Sequence, residues 1–186
     1  ASISDIIPVL RADDIETGRK LLAQYKIEKV RQIVAGGAER QDSINNAVKL
    51  IEGECIVLIH DGARPIISEK LVAALLANLE GVDGVIPGLP VKETLKQVDA
   101  DGMVVSTVDR EKFRSIQTPQ AFTSEVIKRA YEKAYADGFY GTDDASLVER
   151  AGGRVKIIPG DPFNIKITTQ EDLELAELLI ERRSHI

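Results

Sequence analysis

The feature that most constrains this chain is an unbroken apolar run, Cys55-Ile56-Val57-Leu58-Ile59, that stops at His60-Asp61-Gly62-Ala63-Arg64-Pro65. Five residues are too few for a helix and too uninterrupted for a strand with one wet face. The run predicts a strand covered on both sides, as in a parallel sheet flanked by helices. Ligands of open α/β sheets sit beyond the carboxyl ends of the strands. At that edge the sequence delivers a carboxylate, a glycine and a guanidinium. Arg forks onto phosphate oxygens, and a carboxylate holds a hydroxyl or a cation, so Asp61 and Arg64 suit a phosphorylated or metal-bound substrate. The same two residues would equally serve as a mutual ion pair or as a cap for the helix starting near Ser68. His60 reads as a packed strand-end residue rather than a base.

The chain has 186 residues, enough for one domain with a real core. A net charge of -6 argues against a broad nucleic-acid surface. The lack of Trp argues against base-stacking platforms. The single cysteine, inside the apolar run, excludes an internal disulfide and fits a reducing, cytoplasmic setting. No apolar run approaches membrane-spanning length, and no charged-then-apolar leader opens the sequence. Two histidines and no zinc spacing argue against a His-based metal site. Ser–His–Asp hydrolysis has no GxSxG elbow to support it.

Elsewhere the pattern alternates strand and helix. Residues 5–10 read as a strand that Pro8 pushes to an edge or a bulge. A helix is expected over 13–25 and a strand over 30–34, ending in Gly36-Gly37. A glycine pair there lets the backbone approach a ligand. Ser43, near the start of a helix of roughly 41–51, would sit where free N–H groups attract anions; a tight turn with an N-cap is the plainer alternative. Ser68 caps a helix carrying Leu71, Leu75, Leu76 and Leu79, and residues 83–87 read as a buried strand. VKETLKQV and MVVSTV alternate on either side of Asp99-Ala100-Asp101-Gly102, which predicts a hairpin arm over about residues 90–110. Such an arm is an interaction element, a lid or a plain edge ribbon.

Residues 114–120 read as a short strand and a polar turn, followed by a helix from Thr123. Thr142 is expected to cap a further helix whose first acids, Asp143 and Asp144, suit its positive end. Residues 154–158 and 164–168 read as strands, and Thr169 with Asp172 forms a capping box for the last helix. Lys166, a cation between two isoleucines, either snorkels to solvent or binds a phosphate.

GGAERQDS, HDGARP, KETLK, TVDR, QTPQAF, TDDASLVE and NIKITTQEDLELA, in this order, resemble the 2-C-methyl-D-erythritol 4-phosphate cytidylyltransferases. The resemblance runs from about Gly36 to Ala176. It implies a doubly wound, mostly parallel nucleotidyltransferase fold in a single domain, and a homodimer with exchanged arms. It also implies transfer of CMP from CTP to methylerythritol phosphate, with Mg2+ bound mainly through the CTP phosphates and pyrophosphate released. By resemblance, Gly36, Gly37 and Ser43 contact the cytosine, with Gly62 beside the nucleotide. Asp61, Arg64, Thr118 and Thr142 hold the methylerythritol phosphate, and Lys166 positions its phosphate for attack. Thr94 and Arg110, on the arm, reach the partner's site. The family also begins with a strand and a Gly-rich loop bearing an Arg and a Lys, then PKQ. No GxGxR or PKQ occurs in this sequence, so the expectation is part of a longer chain. Two rivals share part of the pattern: a ribitol 5-phosphate cytidylyltransferase, from which TDDASLVE departs, and a non-catalytic dimeric nucleotide-binding scaffold.

Overall fold

The structure, a computed structural model, describes residues 3–183. It is a mixed α/β fold with a central sheet and, among the described residues, six helices. The first half holds β1 (Val9–Leu10), α1 (Ile15–Gln24), β2 (Val34–Ala35), α2 (Arg40–Val48), β3 (Ile56–Ile59) and α3 (Glu69–Ala77). Then come β4 (Gly84–Pro90), β5 (Lys96–Val98), β6 (Val104–Thr107), β7 (Arg114–Ile116) and β8 (Gln120–Thr123). The chain continues through α4 (Ser124–Ala136), α5 (Asp144–Arg150), β9 (Val155–Pro159) and α6 (Gln170–Arg183). The central sheet runs β3-β8-β4-β7 with β9 beside β4, while β1-β2 and β5-β6 are separate two-stranded sheets. Two compact units divide the chain. One comprises the chain through Ile59 with 79–84 and 121–155; the other comprises 60–78, 85–120 and the chain from 156 onward.

In the first unit, α4 buries Ile127, Ala130, Tyr131 and Ala134, the spacing of one helical face. The Thr123 hydroxyl accepts from Val126 N at 3.3 Å and starts that helix. Ala121 and Phe122 of β8 and Leu147 and Val148 of α5 complete a dry core. The expected strand over 5–10 shrinks to β1. Pro8 has no N–H to give, and only its carbonyl takes part, accepting from Val34 N at 2.9 Å. The strand expected over 30–34 is likewise reduced to β2, which pairs in parallel with β1, and Val30 is joined only by a bridge to Ile6. The apolar run is not covered on both sides. Ile59 is buried, but Ile56 is 48% exposed and Cys55 is exposed. The reason is position: in the sheet order β3 has one neighbour, β8, and stands at an edge among the described residues. The sequence reading also missed β8, taking it for part of a polar turn and helix start.

In the second unit, the Ser68 hydroxyl accepts from Leu71 N at 3.3 Å, and α3 buries Leu71 and Leu75. β4 and β7 run antiparallel, with Gly88 opposite Ile116 and Pro90 opposite Arg114. The hairpin forms as β5 and β6, also antiparallel, but each strand is shorter than its alternating stretch. Its turn is closed by the Asp99 carboxylate, which accepts from Met103 N at 2.9 Å and Asp101 N at 3.1 Å. Val98, Met103, Val104 and Val105 are all more than half exposed. Residues 164–168 form no strand. The Asn164 carbonyl is occupied by side chains instead of a ladder, accepting from Arg64 Nη1 at 2.8 Å and Gln117 Nε2 at 3.1 Å. The capping box of α6 is present: Asp172 accepts from Thr169 N at 3.0 Å, and Thr169 Oγ1 accepts from Asp172 N at 3.3 Å.

Candidate active site

The chain leaves β3 at His60, and the loop that follows carries Asp61, Gly62 and Arg64. The Asp61 carboxylate lies 3.0 Å from Lys166 Nζ and 3.9 Å from Arg64 Nε. Asp61 and Arg64 are therefore partners, one of the alternatives that the sequence left open, while the cap of α3 is Ser68. The pairing does not exhaust the cations. Arg64 Nε is buried without a hydrogen-bond partner, and the Lys166 side chain is 45% exposed. Burial lowers the pKa of Arg64 below its usual value, but a guanidinium stays charged. A buried donor left over on a charged group is costly unless an acceptor arrives. Asn164 also leaves a buried amide oxygen, Oδ1, unmatched.

Behind these groups lies a buried polar scaffold that the sequence reading missed. Asn164 is fully buried, and its Nδ2 donates to the Thr118 carbonyl at 2.7 Å. Gln117 donates to the carbonyls of Asp161 and Asn164 and accepts from Asp161 N at 3.0 Å. Ile167 N donates to the Ala63 carbonyl at 2.8 Å. Through these bonds the segment bearing Lys166 is held against the segments bearing Arg64 and Thr118. Both amides open motifs of the sequence, QTPQAF and NIKITTQEDLELA, but no one-dimensional pattern says that they are buried.

The first unit carries a second cluster. Gly36, Gly37 and Ser43, with Val9, Leu10, Arg11 and Ala12, line a cavity of about 350 Å³. Ser43 Oγ accepts from Gly37 N at 3.0 Å and donates to the Glu39 carbonyl at 3.0 Å, clamping the turn. Gly37 has no room for a side chain in that turn, and Gly36 has little. A Cβ on Gly36 would stand 3.0 Å from Ser43 Oγ, and one on Gly37 would run into Asp42. The cap of α2 is a reciprocal pair between Glu39 and Asp42, not Ser43.

Thr142 lies in the first unit, exposed, just before α5. It does not cap that helix, as the sequence had implied. The cap is Asp143, one residue on, whose carboxylate accepts from Ser146 N at 3.0 Å. Asp144 is buried and bonded to Tyr131 Oη at 2.6 Å and Arg40 Nη2 at 2.8 Å. Gln41 accepts from Gly141 N at 2.9 Å, tying the start of α2 to the loop before Thr142. In the second unit, Thr94 is exposed just before β5 rather than on it. Arg110 lies past β6 in a 3-10 turn, its guanidinium donating to the Lys92 carbonyl. Gly62 has nothing within 4 Å of where a Cβ would stand, so a side chain there would meet open space.

Asp61 and Arg64, just past the end of β3, and Lys166, brought up from the segment after β9, set a carboxylate between a largely buried guanidinium and a half-exposed ammonium, a grouping chemically suited to an anionic, phosphorylated ligand. The chain belongs to the IspD family, whose model, 2-C-methyl-D-erythritol 4-phosphate cytidylyltransferase, matches residues 1–182. It is 43% identical over 182 residues to the enzyme of that name from Syntrophus aciditrophicus, covering 97% of this chain and 78% of the relative. It is 46% identical over 183 residues to the one from Dictyoglomus thermophilum, covering 97% and 79%. Among solved structures, the 4-diphosphocytidyl-2C-methyl-D-erythritol synthase of Anaerococcus prevotii is similar at a TM-score of 0.86 and 37% identity, covering 96% of this chain and 79% of that one.

Proposed function

We infer that this chain is a CTP-dependent cytidylyltransferase that transfers CMP from CTP to 2-C-methyl-D-erythritol 4-phosphate in isoprenoid biosynthesis. The observation that carries this reading is family membership along residues 1–182, joined to the cation cluster of the second unit. In the reaction, a phosphate oxygen of the sugar alcohol attacks the α-phosphorus of CTP, and the bond to pyrophosphate breaks. Two anions must approach, so the protein has to supply fixed positive charge and hold the attacking group in line. Lys166 and Arg64 are proposed to hold the phosphorylated substrate, with Asp61 orienting Lys166 and Thr118 contributing its hydroxyl. In the first unit, the Gly36-Gly37 turn clamped by Ser43 is proposed to take the cytosine. Gly62 is assigned to the nucleotide and Thr142 to the sugar phosphate on the resemblance alone.

Mg2+ is proposed to ride on the CTP phosphates and to neutralise part of their charge. Asp61, already facing two cations, is a poor ligand for it. Among the described residues, no three His, Cys, Asp or Glu side chains gather as a metal site. Among the described residues, no helix is long and apolar enough to cross a membrane, and a cytoplasmic location is proposed from the free thiol. The chain is read as a single domain with a hairpin arm, working as a homodimer. An isolated hairpin is only marginally stable in water, and the exposed Val98, Met103, Val104 and Val105 gain cover if each arm lies on a second copy. Arg110 and Thr94 would then serve the partner's site.

The test is pyrophosphate release by the full-length protein with CTP and either methylerythritol phosphate or ribitol 5-phosphate. The expected result is a preference of at least about tenfold in kcat/KM for the methylerythritol substrate. A preference for ribitol 5-phosphate would transfer the reading to the rival substrate. Nucleotide binding without release from either would leave a scaffold.

A further inference from the structure

His60 stands one residue before Asp61, half-buried, and both of its ring nitrogens are engaged. Nε2 lies 2.9 Å from the Arg64 carbonyl, and Nδ1 lies 3.0 Å from Thr118 Oγ1. A carbonyl can only accept, so Nε2 carries a proton. Thr118 Oγ1 also accepts from the Asp61 N–H at 3.0 Å. A hydroxyl has one proton and two lone pairs. With neutral imidazole the remaining assignment is forced: Nδ1 is the acceptor and takes the Thr118 proton, since Nε2 already holds the ring's own. Burial favours that neutral form by lowering the His60 pKa. Thr118 Oγ1 thus has its proton committed inward, one lone pair committed to Asp61 N, and one lone pair left.

We propose that His60 is a positioning residue that keeps the Thr118 hydroxyl an acceptor toward the ligand, so that this corner of the site selects a substrate hydroxyl and rejects a phosphate oxygen. A polyol hydroxyl has a proton to give to that lone pair. A phosphate dianion offers only lone pairs, which would face another lone pair. The two ends of a phosphorylated polyol are thereby sorted: phosphate toward Lys166 and Arg64, hydroxyl toward Thr118. Sequence alone could not have shown this, because His60 and Thr118 lie 58 positions apart.

The proposal rests on the reading of the second unit as the sugar-phosphate site, and two measurements separate it from that reading. The first is ring nitrogen-15 NMR of the ligand-free full-length protein near neutral pH. The expected spectrum shows the His60 Nε2 protonated and Nδ1 bare; a protonated Nδ1 would overturn the proposal whatever the protein's substrate. The second is steady-state kinetics of His60→Phe and His60→Asn with CTP and methylerythritol phosphate. His60→Phe removes the inward acceptor and should raise KM for the sugar phosphate about tenfold, the scale of one hydrogen bond, with KM for CTP unchanged. His60→Asn can present an amide oxygen where Nδ1 stood and should recover most of that loss. Equal changes for both substrates, or no recovery by Asn beyond that of Phe, would mean a packing role only and overturn it. An inactive parent protein would count against the proposed function, while the NMR spectrum would still decide the tautomer.

Discussion

Asp61 faces Lys166 at 3.0 Å and Arg64 at 3.9 Å, and His60 beside it is held neutral mainly by burial. That burial has a consequence for stability. Below about pH 6.5, the ordinary value for imidazole, the unfolded chain takes up a proton that folded His60 refuses. The contribution of His60 is therefore whole above that pH and shrinks as pH falls from there toward the lowered folded value. The melting temperature should drop more steeply between about pH 7 and pH 5 in the parent than in His60→Asn. Identical slopes would mean that His60 titrates normally in the fold. A second residue-scale prediction follows from the cap that the sequence misplaced by one position. Asp143→Ala should cost about 1 kcal/mol of stability, as the loss of an N-cap does. Thr142→Val should leave the melting temperature alone and raise KM for the sugar phosphate. A fall in melting temperature for Thr142→Val would contradict the geometry of that helix start.

Elements were legible where local chemistry decided them. α4 was readable from apolar residues at helical spacing after Thr123, and α6 from the Thr169–Asp172 box, because both signals lie within one turn of chain. β8 was not legible. Four residues carry no period, and Gln120 at its start reads as polar although it is buried. Residues 164–168 erred in the opposite direction: their composition is that of a strand, but Arg64 and Gln117 take the Asn164 carbonyl. The link among α2, α4 and α5 was equally hidden, since Asp144 meets Arg40 104 positions away. Tyr131→Phe would leave the buried Asp144 without its 2.6 Å donor. It should destabilise the protein by about 1–3 kcal/mol. Thermal unfolding of the variant checks this, and an unchanged melting temperature would show that the hydroxyl is dispensable to the helix junction.

At the scale of the whole molecule, the candidate site was legible mainly through resemblance. Asp61, Arg64, Thr118 and Lys166 are spread from position 61 to 166, yet hydrogen bonds and ion pairs draw them into one cluster. The Gln117–Asn164 scaffold that holds them was not legible, because it exists only once the loops are folded together. The proposed dimer makes its own prediction. If Arg110 serves the partner's site, mixing full-length Arg110→Ala with full-length Lys166→Ala gives dimers with one doubly damaged and one intact site. Activity should recover toward half per mixed dimer; no recovery, with subunit exchange verified, would return Arg110 to its own chain. The central proposal is that Lys166 is the cation that holds the attacking phosphate. Turnover of full-length Lys166→Ala with CTP and methylerythritol phosphate, both saturating, is the most direct test. It should fall by the equivalent of ~2–4 kcal/mol, the scale of one charge-stabilising group, with the melting temperature near that of the parent. Turnover equal to the parent's would contradict the account.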